Sequence, residues 1–196
     1  GGRVCGGVFA EGKDAARDKE RARRLALVEQ WLGHENAVAG EELEGLAAEV
    51  RKTLSPFHWW IEFPEVFFQD RPDPLEGGAV TRAALMEGVV GNPPFGGKNN
   101  IIDGNPEGYL DWLKVVSPCA HGNSDLSAHF FRRAATILGK HGAFGLIATN
   151  TIAQGDTRTT GLAALMARGW FIYDATESLP WPGSAAVTVS LVNCAH

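Results

Sequence analysis

Cysteine is scarce in this sequence of 196 residues: Cys5, Cys119 and Cys194 stand far apart, with no CxxC pair. That spacing suggests neither a disulfide framework nor a zinc site, and free thiols fit a reducing, cytoplasmic setting. Excess positive charge is lacking as well. The formal net charge of -5 is the wrong sign for a self-sufficient nucleic-acid binder, which usually carries a basic face. It leaves room for a catalytic module whose grip on DNA lies elsewhere in a longer polypeptide. No apolar run is long enough to cross a bilayer, and no signal peptide is visible. The sequence opens Gly1-Gly2-Arg3 without a methionine and stops at His196 just past an apolar run, so a fragment of a larger protein is expected.

What is present suffices for a core. The composition is 44% hydrophobic and 21% charged, close to the globular average, which fits one ordinary domain or a piece of one. Residues 1–13 are Gly-rich. Apolar spacing predicts a charged helix from Asp14 to about Trp31, with Leu25, Val28, Trp31 and Leu32 along it, and a second from about Gly40 to Leu54, closed by Pro56. The two are expected to form a helical segment over 1–55, ahead of a catalytic part over 56–196. Residues 57–68 (FHWWIEFPEVFF) read as a buried strand or irregular core segment, and 69–79 as a loop.

An α/β rhythm follows. Gly88-Val89-Val90 predicts a short strand running into Gly91-Asn92-Pro93-Pro94-Phe95. Residues 125–140 read as a helix with Leu126, Phe130, Ala134, Ile137 and Leu138 on one face, Ser124 or Asp125 as its cap and Gly142 as its stop. Then come a buried strand over 143–149, a helix over 157–168 with Leu162, Leu165 and Met166 inward, a strand over 170–173, a turn at 180–183 and a β-rich run over 185–192. Asp156 is expected to cap the second of these helices. The alternation implies a mostly parallel sheet with helices on both faces. Active sites in such sheets lie beyond the carboxyl ends of strands, and Asn92 and Asn150 each follow a predicted strand.

Asn92-Pro93-Pro94-Phe95 is the sharpest chemical signal. The lone pair of an exocyclic amine is delocalised into its ring, so the nitrogen is a poor nucleophile. Methylating it requires acceptors that hold the amine with its lone pair aimed at the methyl donor. The Asn92 side-chain carbonyl offers one acceptor and the Pro93 backbone carbonyl another. The two prolines stiffen the loop, and Phe95 offers a flat face on which a base stacks, worth about 1–3 kcal/mol. A base within a duplex must be flipped out to reach such a pocket. The competing reading is that Pro-Pro merely breaks a strand and Phe95 is core.

This tetrapeptide resembles the [DNS]-P-P-[YFW] motif of amino-directed methyltransferases. The order around it resembles the gamma-type adenine enzymes, with Asp125-Leu126 opening the next helix and a strand ending at Asn150. The stretches FHWWIEFPEVFF, VVGNPPFGGKN, HGNSDLSAHFFRRA and IATNTIAQGDTR are similar to large single-chain bacterial restriction-modification methylases of Type II or IIG, over roughly residues 56–193. The resemblance implies a partial Rossmann-like class I fold that transfers a methyl group from S-adenosylmethionine to adenine in DNA. It places Asn92 and Pro93 on the target amine, Phe95 against the base, and the backbone of Gly91, Asn92 and Pro93 near the donor methyl. The resemblance gives Asn150 no firm role; its position after a predicted strand makes it a candidate to bind the base. Nothing here matches the FxGxG-like cofactor loop of such enzymes, so that loop, and the target-recognition region, are expected outside these residues; the fragment alone is expected to be inactive. Ribosomal RNA guanine, a protein glutamine, or a non-catalytic interaction role are the alternatives.

Lys98, Asn99 and Asn100 suit contact with phosphate or flanking bases, or a solvated loop. Arg132-Arg133 reads as a solvated face. His121 and His129 lack ligand-like neighbours, so no metal is expected, and no membrane partner. Trp181, between two prolines, reads as a packed turn.

Overall fold

The computed structural model describes residues 14–34, 37–68, 70–73, 77–81, 86–181 and 187–196. The expectations for Cys5, for the Gly-rich start, for residues 182 and 183 of the turn and for residues 185 and 186 lie outside them. The chain divides into two compact units: Gly1–His58 with Ile102–Val115, and Trp59–Ile101 with Val116–His196.

In the first unit, helices α1 (Asp14–His34) and α2 (Ala37–Thr53) pack together. Ala39, Leu43 and Ala47 repeat at i, i+4 and i+8 and are buried, which is the apolar stripe a packed helix needs. Of the expected apolar residues of α1, Leu25, Trp31 and Leu32 are exposed and Val28 is half-buried. The Trp31 ring lies where a side chain at Gly40 would project, so glycine there lets the two helices close up. Arg23 pairs with Glu42 across the helices and with Glu20 along its own. Hydrogen bonds from Arg23 and Arg24 hold the Glu20 carboxyl at about 2, well below its ordinary range.

Residues 57–68 are no buried strand but two short helices, α3 (Trp59–Glu62) and α4 (Pro64–Phe67). Phe57, Ile61 and Phe68 are exposed and only Phe67 is buried. Pro64 sits at the first position of α4, where its missing N–H costs nothing. The aromatics cover one another instead of joining the core: Trp60 lies 4.7 Å from Phe67, and the Arg133 guanidinium sits 4.9 Å over the Trp60 ring. Arg133 stays exposed, as expected, while its guanidinium covers that ring, and its half-buried neighbour Arg132 donates to the Pro118 carbonyl. The expected loop at 69–79 contains strands instead, β1 (Arg71–Asp73) pairing antiparallel with β2 (Ala79–Thr81).

The main sheet has β3 (Met86–Gly91), β4 (Leu138–Thr149), β5 (Phe171–Pro180) and β6 (Thr188–Ala195), in the spatial order β3-β4-β6-β5. Only β3 and β4 pair in parallel; β6 pairs antiparallel with both β4 and β5. The expectation of a mostly parallel sheet is therefore corrected to a mixed one. Three strands share a direction, and the reversed β6 is inserted between two of them. The cause is connection length. Only residues 181–187 separate β5 from β6, and a parallel crossover needs a dozen or more.

After β3 come α5 (Lys98–Asp103), α6 (Tyr109–Val116) and α7 (Leu126–Ile137); α7 and the segment from Gly155 to Met166 cover one face of this sheet. Ala128, Phe131, Ala135 and Leu138 meet Phe144, Leu146 and Ala148 of β4 and Val192 and Cys194 of β6 in one buried cluster. Phe131, not Phe130, is the core residue of α7; Phe130 is 38% exposed. Met166 likewise stays outside while Leu162 and Leu165 turn in. The opposite face is open among the described residues, against the expectation of helices on both faces: Val90 is 92% exposed, and the intervening residues of β4 are only half-buried. There Asn193 donates to Asp174 at 2.9 Å. Gly142 does not stop α7. The chain turns extended at Leu138 and Gly142 lies inside β4, where a side chain would strike Leu138.

Candidate active site

The parallel pairing of β3 and β4 fixes where the candidate residues meet. Gly91, the last residue of β3, stands opposite Leu146. Both strands run the same way, so the loops after Gly91 and after Thr149 leave from one edge. The end of β5 reaches this edge too, because β5 shares their direction. The structure places Asn92, Pro93, Pro94 and Phe95 on one short irregular stretch there, between β3 and α5 (Lys98–Asp103).

Exposure along that stretch alternates in a useful way. The Asn92 side chain is exposed, Pro93 is buried, Pro94 is exposed and Phe95 is half-buried. Pro93 is thus buried at the end of the strand, with exposed Asn92 before it and half-buried Phe95 two residues after it. Lys98 follows, exposed, in the first turn of α5.

Asn150 behaves differently. Its Oδ1 accepts from the Ser190 hydroxyl at 2.7 Å, and its Nδ2 donates to the Ser178 hydroxyl at 3.2 Å. Ser178 sits at φ 58 within an irregularity of the β5–β6 pairing. Both ends of the Asn150 amide are thus used to tie β4, β6 and β5 together at this edge.

The motif loop is held from behind. Gly96 N donates to Asp125 Oδ2 at 3.0 Å, and Leu126 N donates to Gly96 O at 2.8 Å. Asp125 caps α7 as expected, through Oδ1, which accepts from Ser127 N and Ser127 Oγ. Its own N–H donates to Thr157 Oγ1 at 3.1 Å. Thr157 lies in α8 (Gly155–Arg158), which continues through a π-helical stretch, Thr159–Ala163, into α9 (Ala164–Met166). Sequence reasoning found the cap but not its hold on Gly96, since 29 residues separate them. Asp156 is not a helix cap, correcting that expectation: Gln154 occupies the cap position, and Asp156 instead meets His121 Nδ1 at 2.9 Å.

His129 is buried on α7, with Nε2 3.4 Å from the Ser124 hydroxyl and Nδ1 without a partner. Burial, then the nearby Arg132 charge, push its pKa from 6.5 down to about 4, against a smaller opposing pull from Asp125. Between those values the unfolded chain binds the proton and the folded one does not, so stability falls as pH falls. The loss between pH 6.5 and pH 4 is expected to be about 3 kcal/mol, at ~1.4 kcal/mol per unit. Urea unfolding across that window should show it, and a His129→Phe variant should lack it. Burial raises the Cys194 thiol to about 11, which keeps it protonated and inert. Among the described residues no three His, Cys, Asp or Glu side chains gather as a metal site, and no helix is long and apolar enough to cross a membrane.

Comparison with known proteins bears on residues 17–168, which match the family model described as Eco57I restriction-modification methylase. Among solved structures, the Type IIL restriction-modification enzyme MmeI in complex with DNA is 25% identical. The match covers 55% of this chain at a TM-score of 0.48, and the chain spans 15% of that protein's length. No curated protein matches the chain.

Proposed function

Because this chain belongs to the Eco57I restriction-modification methylase family, we propose that it supplies the target-base side of a site that methylates the exocyclic amine of adenine in DNA. The single observation that carries the reading is the edge loop. An exposed asparagine and a half-buried phenylalanine flank two prolines at the carboxyl end of a strand, in a parallel pair where ligands are usually bound.

In this reading an adenine flipped from the duplex stacks on Phe95. Its amine donates to Asn92 Oδ1 and to the Pro93 carbonyl, which turn the nitrogen lone pair outward. Neither acceptor acts as a strong base, because the amine proton departs after the new N–C bond forms. S-adenosylmethionine supplies the electrophilic methyl carbon when bound. The residues present fit one border of that cofactor: the backbone of Gly91, Asn92 and Pro93 lies at the open strand end, next to a sheet face on which Val90 is uncovered. The Gly-rich cofactor loop and the target-recognition region are assigned to other parts of the polypeptide. The division into a helical part over 1–55 and a catalytic part over 56–196 belongs to the same proposal. Lys98 is placed to meet a phosphate or flanking base, and Asn150 shapes the rim through its bonds to Ser178 and Ser190. The fold proposed is the partial Rossmann-like class I type.

The test is methyl transfer by the full-length protein, with labelled S-adenosylmethionine offered duplex DNA, ribosomal RNA and release factor. Label on the adenine amine of DNA is expected. Label confined to RNA guanine or to protein glutamine removes the proposal.

A further inference from the structure

We propose that Asp125 is a positioning residue, which sets the place of the Asn92–Phe95 loop by using its two carboxylate oxygens for two different jobs. The role rests on the reading of the site given above.

Oδ1 does what a helix cap does: it takes Ser127 N at 2.9 Å and Ser127 Oγ at 2.7 Å. A cap needs only that one oxygen. Oδ2 reaches outside the helix to Gly96 N, one residue beyond Phe95. The return bond, from Leu126 N to Gly96 O, closes a ring of two hydrogen bonds between the motif loop and the first residues of α7. All the groups in this clamp sit in buried surroundings: Asp125 is 8% exposed and Ser127 fully buried, and Gly96 is buried as well. A charged acceptor makes such bonds stronger and shorter than neutral ones.

The clamp has a second anchor. Asp125 N donates to Thr157 Oγ1, and Thr160 Oγ1 accepts from His121 N at 2.9 Å. Two threonines of the segment that follows the Asn150 edge therefore hold the backbone leading into α7. The edge loop after β3 and the one after β4 are linked through a single carboxylate-bearing residue. Prolines 93 and 94 stiffen the loop from within, while Asp125 fixes it to the scaffold. Acceptors that must hold the N–H groups of an amine so that its lone pair faces the methyl donor need that outer support, since a displacement of about 1 Å costs on the order of 100-fold in rate.

The chemistry of the two oxygens provides the test. Asp125→Asn keeps an oxygen for Ser127, and asparagine caps helices as well as aspartate does. It turns the other atom into an N–H donor facing the Gly96 N–H donor. Turning the amide over would instead set two donors of Ser127 against it. Asp125→Ser, a good cap too short to reach Gly96, is the second variant should the first fold poorly. In the full-length protein, hydrogen exchange of the 92–97 backbone and methyl transfer to duplex DNA are measured together. Expected are exchange at Gly96 accelerated at least tenfold, protection of α7 retained, and kcat lowered about 10- to 100-fold with the KM for DNA nearly unchanged. Unchanged exchange at Gly96 overturns the clamp whatever the activity. Faster exchange with wild-type kcat overturns the positioning role. Loss of α7 protection in both variants, in step with activity, reduces Asp125 to a helix cap and overturns it too. If the wild-type protein transfers no methyl group to DNA, the reading of the site fails, and this role falls with it; the exchange data then still report whether Asp125 holds the loop.

Discussion

An Asn92→Ala variant of the full-length protein is expected to lose about 10²–10³-fold in kcat for methyl transfer, the scale set by removal of one preorganised polar group from a reacting centre. The side chain is exposed at the sheet edge, so its truncation leaves no cavity and no buried partner unsatisfied. Stability should stay within the small range typical of surface substitutions, about 0.5 kcal/mol. That pairing of a large kinetic loss with an unchanged melting curve separates a residue that holds substrate from one that holds the fold. A variant with normal turnover would remove Asn92 from the site and favour a non-catalytic role for the domain. Asn92→Asp adds discrimination. It retains an acceptor oxygen, and aspartate is one of the residues that the [DNS]-P-P-[YFW] pattern admits, so partial activity is expected from it.

The second large effect lies in the core. Phe144 is 1% exposed on β4 and meets two rings, Phe131 edge-on at 5.6 Å and Trp170 at 5.3 Å. Edge-to-face arrangements of that kind add to the area that an aromatic side chain buries. Phe144→Ala removes the central ring of three and leaves its neighbours, on α7 and just before β5, facing a void that the rigid sheet cannot close. The expected cost is about 3–5 kcal/mol, from the lost transfer free energy and the cavity together. At ~2–4 °C per kcal/mol for a protein of this size, calorimetry should find the melting point lowered by roughly 10 °C. Phe130→Ala, one residue away from Phe131 but 38% exposed, should cost far less, and equal losses would refute the assignment of the core.

That contrast also marks the limit of what the sequence discloses. Apolar spacing located α7 and its Asp125 cap, yet placed Phe130 rather than Phe131 in the core, because adjacent phenylalanines satisfy a helical stripe equally well until a partner surface is known. Residues 57–68 look buried by composition, but their rings are occupied with one another and with Arg133, a pairing that spans more than 60 residues of sequence. The short connection at 181–187 contained the evidence for an antiparallel β6, but α/β alternation elsewhere outweighed it. At the candidate site the motif loop itself was legible, since four consecutive residues carry it. Its support was not: Asp125 reaches Gly96 across 29 positions, and Asn150 reaches Ser178 and Ser190 across 28 and 40. Local pattern carries no trace of such bonds.

The late position of β6 has its own consequence for biosynthesis. Ala143 pairs with Ala195 and Phe144 with Cys194, so half of the ladder on β4 waits for a stretch translated some fifty positions afterwards. Until β6 pairs, β4 and β5 each hold an unzipped margin of amide and carbonyl groups, the kind of margin that invites pairing with the wrong chain. Because β6 lies between those two strands, its pairing removes both margins at once.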